Sequence, residues 1–224
     1  PEAAWQAREI HPWEHGIAYD CYCQGKLLGR VKLPVPGRHN ALNSLAAMAV
    51  GHHLGLSFQE MAAALENFRN AKRRYQIYAE INDIIVVDDY AHHPTEIRAT
   101  LAAARERAGR RVVAVFQPQR YSRTHWLMDE FATAFRDADV LLLTEIYSPP
   151  GEQPIPGVSG AALAQRIEAA TGQKAILLTD KQAILDRLLA IVQLGDTVLT
   201  MGAGDIWKVA RDLARELKER SSVV

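Results

Sequence analysis

Two carboxylates, an aromatic ring and two imidazoles follow one apolar run in Asp88-Asp89-Tyr90-Ala91-His92-His93-Pro94-Thr95-Glu96. These residue types can exchange protons, hold hydroxyls or ligate a cation. A second cluster, Gln117-Pro118-Gln119-Arg120-Tyr121-Ser122-Arg123-Thr124, places two guanidiniums three residues apart. Such a pair grips a carboxylate or phosphate through paired N–H donors. A third stretch, Gly37-Arg38-His39-Asn40-Ala41-Leu42-Asn43, is rich in donors; Asn40 suits a helix N-cap, whereas Asn43, one turn further in, has no capping reason to be there.

Each cluster needs an element to deliver it. Ile84-Ile85-Val86-Val87 reads as a buried strand with polar groups at its carboxyl end, and Pro94 suits the first turn of a helix. Arg111 to Phe116 is a second such strand, with Thr124 as the expected cap of the next helix. In open α/β sheets the ligand crevice lies outside the carboxyl ends of the strands, so both clusters occupy the expected place for chemistry. Further strands are expected over 140–146, 175–178 and 197–201. Helices are expected over about 94–108, 124–136, 159–171, 181–193 and 205–219, giving an α/β fold with a Rossmann-like, mostly parallel sheet covered on both faces.

Upstream, His15–Cys23 and Lys26–Leu33 form an expected hairpin about Gln24-Gly25. A helix over about 41–50, closed by Gly51 or Gly55, and a second one opening on the capping box Ser57 to Glu60 and running towards Phe68 follow it. The polar stretch 67–74 marks a boundary, giving regions 1–73 and 74–224, and Tyr75–Ile81 then pairs with the next strand across Asn82-Asp83. Ser148–Gly157 reads as a plain loop, and Met201-Gly202-Ala203-Gly204-Asp205 as a strand packed tightly on a helix.

Composition narrows the classes. Lys plus Arg and Asp plus Glu both number 26, without a basic block, which argues against nonspecific nucleic-acid binding. No run approaches the ~20 apolar residues that span a bilayer, so no membrane insertion is expected. Cys21 and Cys23 share a strand face without disulfide geometry, which fits a reducing, cytoplasmic setting. The start at Pro1, without an initiator Met, is expected of an excised piece or a processed product. A metal-dependent hydrolase using Asp88, Asp89, His92 and His93 is one alternative, although no H-x-x-x-H or H-E-x-x-H spacing supports a zinc site. A noncatalytic nucleotide-binding module is another.

The order G-x-H-N-x-x-N, R-R-Y, D-D-Y-A-H-H-P-T-E, Q-P-x-R-Y-S-R-T and M-G-A-G-D-I resembles the Mur ligase family along essentially the whole chain. The resemblance implies ATP-dependent amide formation through an acyl phosphate in peptidoglycan synthesis, with Mg²⁺ shielding the phosphates. More narrowly, it implies joining L-alanine to UDP-N-acetylmuramate. Region 1–73 would be the end of the central ATP-binding domain, and 74–224 the C-terminal domain, closing about Asn70 to Arg73. The resemblance further places His39, Asn40, Asn43, Arg74 and Asp89 at ATP, and Tyr90, His92, Gln119, Arg120 and Arg123 at L-alanine. It assigns no metal ligand and no confident catalytic group within the chain. Gln119 stands where the family commonly has His, so a proton-carrying role is not expected there. No G-x-x-x-x-G-K-[ST] phosphate loop occurs in the chain, so by the same resemblance the missing regions of the enzyme would supply it, together with the main Mg²⁺ ligands. The 224-residue piece alone is therefore expected not to catalyse ligation.

Overall fold

The computed structural model describes residues 3–14, 16–106 and 110–221. Pro1, His15 and the last two residues of the expected 94–108 helix lie outside the described residues. The chain divides into two compact units, Pro1–Ala71 and Lys72–Val224.

The first unit holds a three-stranded antiparallel sheet, β1 (Trp5–Trp13), β2 (Gly16–Cys23) and β3 (Lys26–Leu33), in that order. Gln24 and Gly25 both have positive φ, the geometry of a tight turn between twisted strands. The expected hairpin is thus present, but as part of a larger sheet, since β1 pairs with β2. Two helices follow, α1 (Arg38–His53) and α2 (Phe58–Glu66). Alternate positions Ile17, Tyr19 and Cys21 of β2, with Val31 and Leu33 of β3, pack on Ala41, Leu45 and Met48 of α1 and Met61 of α2. Cys21 and Cys23 are free thiols. The Ser57 to Glu60 capping box forms as expected. Gly51 does not close α1: it is buried inside the helix, where a Cβ would meet Met61 Sδ at 2.8 Å, and the chain leaves α1 through Leu54 and Gly55.

The second unit is built on a six-stranded sheet: β4 (Gln76–Ile81), β5 (Ile84–Asp89), β6 (Arg111–Phe116), β7 (Val140–Leu143), β8 (Ala175–Leu177) and β9 (Asp196–Met201). Their spatial order is β4-β5-β9-β6-β7-β8, and only the β4–β5 pair is antiparallel. Asn82 and Asp83, both at positive φ, make the turn of that pair. Both faces of the sheet are covered, so the central strands are apolar at successive positions rather than alternate ones. Ile85, Val87, Ala114, Phe116, Leu141 and Leu199 face α3 (Pro94–Arg105), α5 (Met128–Ala132) and α6 (Gly160–Thr171). Val86, Val113, Val115, Leu142 and Val198 face α7 (Lys181–Ile191) and α8 (Trp207–Ser221).

The single helix expected over 124–136 is instead two short pieces, α4 (Tyr121–Trp126) and α5, broken at Leu127. Thr124 is not a cap: it is fully buried inside α4, and its hydroxyl donates back to the Arg120 carbonyl at 2.9 Å. Among the described residues no helix is long and apolar enough to cross a membrane.

Candidate functional site

In the second unit, β5 and β6 both end where the sheet's carboxyl edge opens into loops, and the two polar clusters lie there. Asp88 is fully buried; Arg73 Nε donates to one of its oxygens at 2.9 Å and Thr200 Oγ1 to the other at 2.7 Å. The Arg73 guanidinium also donates to the carbonyls of Gly202 and Gly204 and lies 5.1 Å above the Tyr90 ring. The residue expected only as a pivot therefore fixes both the buried carboxylate and the aromatic wall.

Asp89 points the other way and meets amides: Tyr75 N donates at 2.6 Å and Ala91 N at 2.7 Å. Burial raises its pKa to about 6, aided by the neighbouring Asp88 charge, although the two amides and Arg74 act to lower it. Arg74 itself is exposed.

The turn between β5 and α3 is organised by Glu96. Its carboxylate accepts from His92 N at 2.9 Å and His93 N at 3.1 Å, and His93 Nδ1 accepts from Thr95 N, completing a reciprocal cap. Burial alone would raise the Glu96 carboxyl, but these amides, the His92 ring and Arg74 hold it below the usual range. His92 Nδ1 lies 2.8 Å from the Tyr90 carbonyl. A carbonyl only accepts, so Nδ1 carries the proton, and Nε2 of the neutral ring keeps its lone pair. The Tyr90 and His92 rings meet edge to face at 5.1 Å.

Beyond β6, residues 118–120 run beside Tyr147: Tyr147 N donates to Pro118 O at 2.8 Å, and Arg120 N to Tyr147 O at 3.0 Å. Arg120 is the N-cap of α4 with φ 71°, a backbone conformation disfavoured for any residue carrying a Cβ. Arg123 is half-buried and donates to Gln119 Oε1 at 2.8 Å. Burial and the neighbouring Arg120 charge lower its pKa, against Glu96, Tyr90 and Glu152, which raise it. The two clusters are therefore electrostatic neighbours. The Arg120 guanidinium is exposed and has no hydrogen-bond or ion-pair partner among the described residues.

The plain loop 148–157 contributes a group that local sequence did not flag. Glu152 accepts from Tyr121 N, Ser122 N, Ser122 Oγ and Ser148 Oγ. Gly202 and Gly204 are required for a different reason from the expected packing of strand on helix. A Cβ on Gly202 would meet Gln117 O at 2.7 Å, and one on Gly204 would meet Gln117 Oε1 at 2.3 Å and the Tyr147 ring at 2.7 Å. Gln117, buried at the end of β6, bridges Asp205 and the Ile206 amide.

His39, Asn40 and Asn43 belong to the first unit, on the opening turns of α1. Asn40 is not the N-cap, which is Gly37; its amide donates to Pro36 O at 2.7 Å. Asn43 is exposed, and its amide donates to Asn40 Oδ1 at 3.5 Å.

Asp88, Asp89, His92 and His93 do not converge. Their bonds go to Arg73, to backbone amides and to a helix cap, and among the described residues no three His, Cys, Asp or Glu side chains form a metal-holding group. Among the described residues the metal-dependent hydrolase alternative has no cluster of ligands behind it.

Comparison with known proteins decides the family. Residues 73–204 match the model for the Mur ligase, glutamate ligase domain. The chain belongs to the Mur ligase family. Among curated Mur ligases, the UDP-N-acetylmuramate--L-alanine ligase of Symbiobacterium thermophilum is 68% identical over 99% of this chain and 46% of its own length. The chain thus spans about half the length of the curated relatives it matches. Among solved Mur ligases, the UDP-N-acetylmuramate-alanine ligase of Thermotoga maritima superposes with a TM-score of 0.81 at 28% identity, over 98% of this chain and 47% of that one. The MurF ligase of Thermotoga maritima, crystallised in complex with ADP, shares the fold at 20% identity with a TM-score of 0.70, over 97% of this chain and 47% of that one.

Proposed function

We propose that this chain forms the amino-acid-receiving part of an ATP-dependent ligase that joins L-alanine to UDP-N-acetylmuramate in the cytoplasm. In this reading, 1–73 closes an ATP-binding domain and 74–224 is the C-terminal domain. The observation that carries it is the exposed, unpartnered Arg120 beside Arg123, electrostatically coupled to the turn bearing Tyr90, His92 and Glu96. An amino acid offers a carboxylate and an amine. Arg120 and Arg123 take the carboxylate, Gln119 holds Arg123 in place, and Tyr90 with His92 forms the wall opposite. The His92 Nε2 lone pair suits a hydrogen bond from the amine.

ATP supplies the phosphoryl group that activates the carboxylate to be coupled. Asn43 suits a purine edge, since its amide both donates and accepts and is exposed. Arg74 and the remaining lone pairs of Asp89 suit ribose hydroxyls. For Mg²⁺ the fit within this chain is poor, because Asp88 spends both oxygens, and Glu96 its Oε2, on internal donors; the main ligands are assigned to other parts of the enzyme.

The test joins this chain to the remaining half of the Symbiobacterium thermophilum relative and follows phosphate release from ATP with UDP-N-acetylmuramate. Release that requires L-alanine in the chimera, and none from the 224-residue chain alone, is the expected result. A chimera that melts cooperatively yet releases no alanine-dependent phosphate overturns the reading.

A further inference from the structure

A helix of six residues whose N-cap residue makes no side-chain bond to it should begin with unsatisfied amides. In α4 they are satisfied from a distant part of the chain. Glu152 Oε2 accepts from Tyr121 N at 3.1 Å and from Ser148 Oγ at 3.0 Å; Oε1 accepts from Ser122 N at 3.1 Å and from Ser122 Oγ at 2.6 Å. Both carboxylate oxygens are therefore fixed, and they hold the two residues immediately after Arg120. We propose that Glu152 is the positioning residue of the arginine pair, a latch from the 148–157 loop that keeps the Arg120 turn in its strained conformation and so sets where both guanidiniums point.

Three observations support the latch beyond the bonds themselves. Arg120 sits at φ 71°, which the chain would leave unless the following turn were held. On the other side of Arg120, Tyr147 pairs with residues 118–120, so the two ends of one connecting segment, Tyr147 and Glu152, clamp the turn before and after the arginine. The carboxylate is held in its charged form: slight burial works against it, but the Ser122 hydroxyl and amide, Ser148 and the Tyr121 amide outweigh that and lower its pKa. A further consequence follows for recognition. With the first-turn amides already occupied by a carboxylate of the protein, an incoming carboxylate must be taken by the guanidiniums.

The inference rests on the proposed amino-acid site, so its test reads the latch separately from the activity. Amide hydrogen exchange in the 224-residue chain should show Tyr121 and Ser122 protected, with protection lost in Glu152→Ala and partly kept in Glu152→Gln, which retains one acceptor. Equal exchange in all three would overturn the latch whatever the enzyme does. In the chimera, Glu152→Ala should raise the KM for L-alanine by about tenfold, as for one lost charge-assisted hydrogen bond, with the KM for ATP unchanged and Glu152→Gln in between. A uniform loss affecting kcat and both KM values, or a lowered melting temperature without a KM split, would make Glu152 a structural residue only and overturn the positioning role. If the unmodified chimera shows no alanine dependence, the site assignment falls, while the exchange result still decides the latch.

Discussion

The two ends of the six-stranded sheet carry the same residue types and use them in opposite ways. At the amino end, Arg111 grips Asp196 through two bonds of 2.8 and 3.0 Å, and Arg110 ties together Asp83, Thr197 and the Asp196 carbonyl. These two guanidiniums hold the strands and their turns together. At the carboxyl end, Arg73 does similar structural work on Asp88, but Arg120 is left exposed on a strained turn. Charge paired internally builds the fold, and charge held in place without a partner is available to a ligand.

The largest test of this contrast is Arg111→Met. Asp196 is 1% exposed, and losing Arg111 leaves a buried carboxylate without a counter-charge, held by the Gln193 amide, at a cost of about 3 kcal/mol. Urea unfolding followed by circular dichroism should show the shift; a change below about 1 kcal/mol would dissolve the distinction between the two ends.

Asp89 sharpens the contrast, because it is a buried carboxylate bonded by amides rather than by a guanidinium. Its pKa rises from 3.8 to about 6 on folding, so the native state takes up a proton before the unfolded one does. Its contribution to stability therefore falls as pH rises from about 4 to about 6, by up to about 3 kcal/mol. Subtracting the pH profile of Asp89→Asn from that of the parent should isolate this slope. A flat difference would mean that Asp89 is charged at no cost.

Arg120→Ala comes next. It should leave unfolding within about 0.5 kcal/mol, as for an exposed group without a partner. In the chimera it should raise the KM for L-alanine by about ten- to hundredfold, equivalent to about 1.5 to 3 kcal/mol. The reverse pattern, lower stability with unchanged KM, would make Arg120 another structural arginine. The smallest effect belongs to Asp83→Asn at the amino end. The Asp83 carboxylate is 68% exposed, so screening should keep the loss under about 1 kcal/mol in the same urea experiment.

Much of the sheet was legible because its strands are apolar runs that stop at polar residues. Arg111–Phe116 has the expected limits, and the turns at Gln24-Gly25 and Asn82-Asp83 announce themselves by residue type. Strand β1 was not, since Arg8, Glu9 and Pro12 interrupt it and its register shifts between Arg8 and His11. The start of α4 was missed because its first amides are satisfied by Glu152, some thirty residues away, so nothing local marks it. For the same reason Arg73 was read as a pivot: its partners Asp88, Gly202 and Gly204 are brought to it only by the completed sheet. The two polar clusters were visible as strand-end sequences expected side by side, but the strand that lies between β5 and β6 was not, because it comes from the far end of the domain's sequence.

That strand is β9, the last of the sheet to be synthesised, and it lies between β5 and β6. As the polypeptide leaves the ribosome, β5 and β6 have no direct pairing with each other and each presents an open edge until residues 196–201 emerge. The sheet cannot mature progressively from its beginning; its central seam closes in one late event, after its other five strands have been made. Until then two apolar strands, each with one backbone edge unpaired, are exposed to the cell, the condition in which nascent chains aggregate or engage chaperones. A nascent chain stalled before Met201 should therefore stay sensitive to protease throughout the sheet, and become resistant across it together once β9 is free to insert.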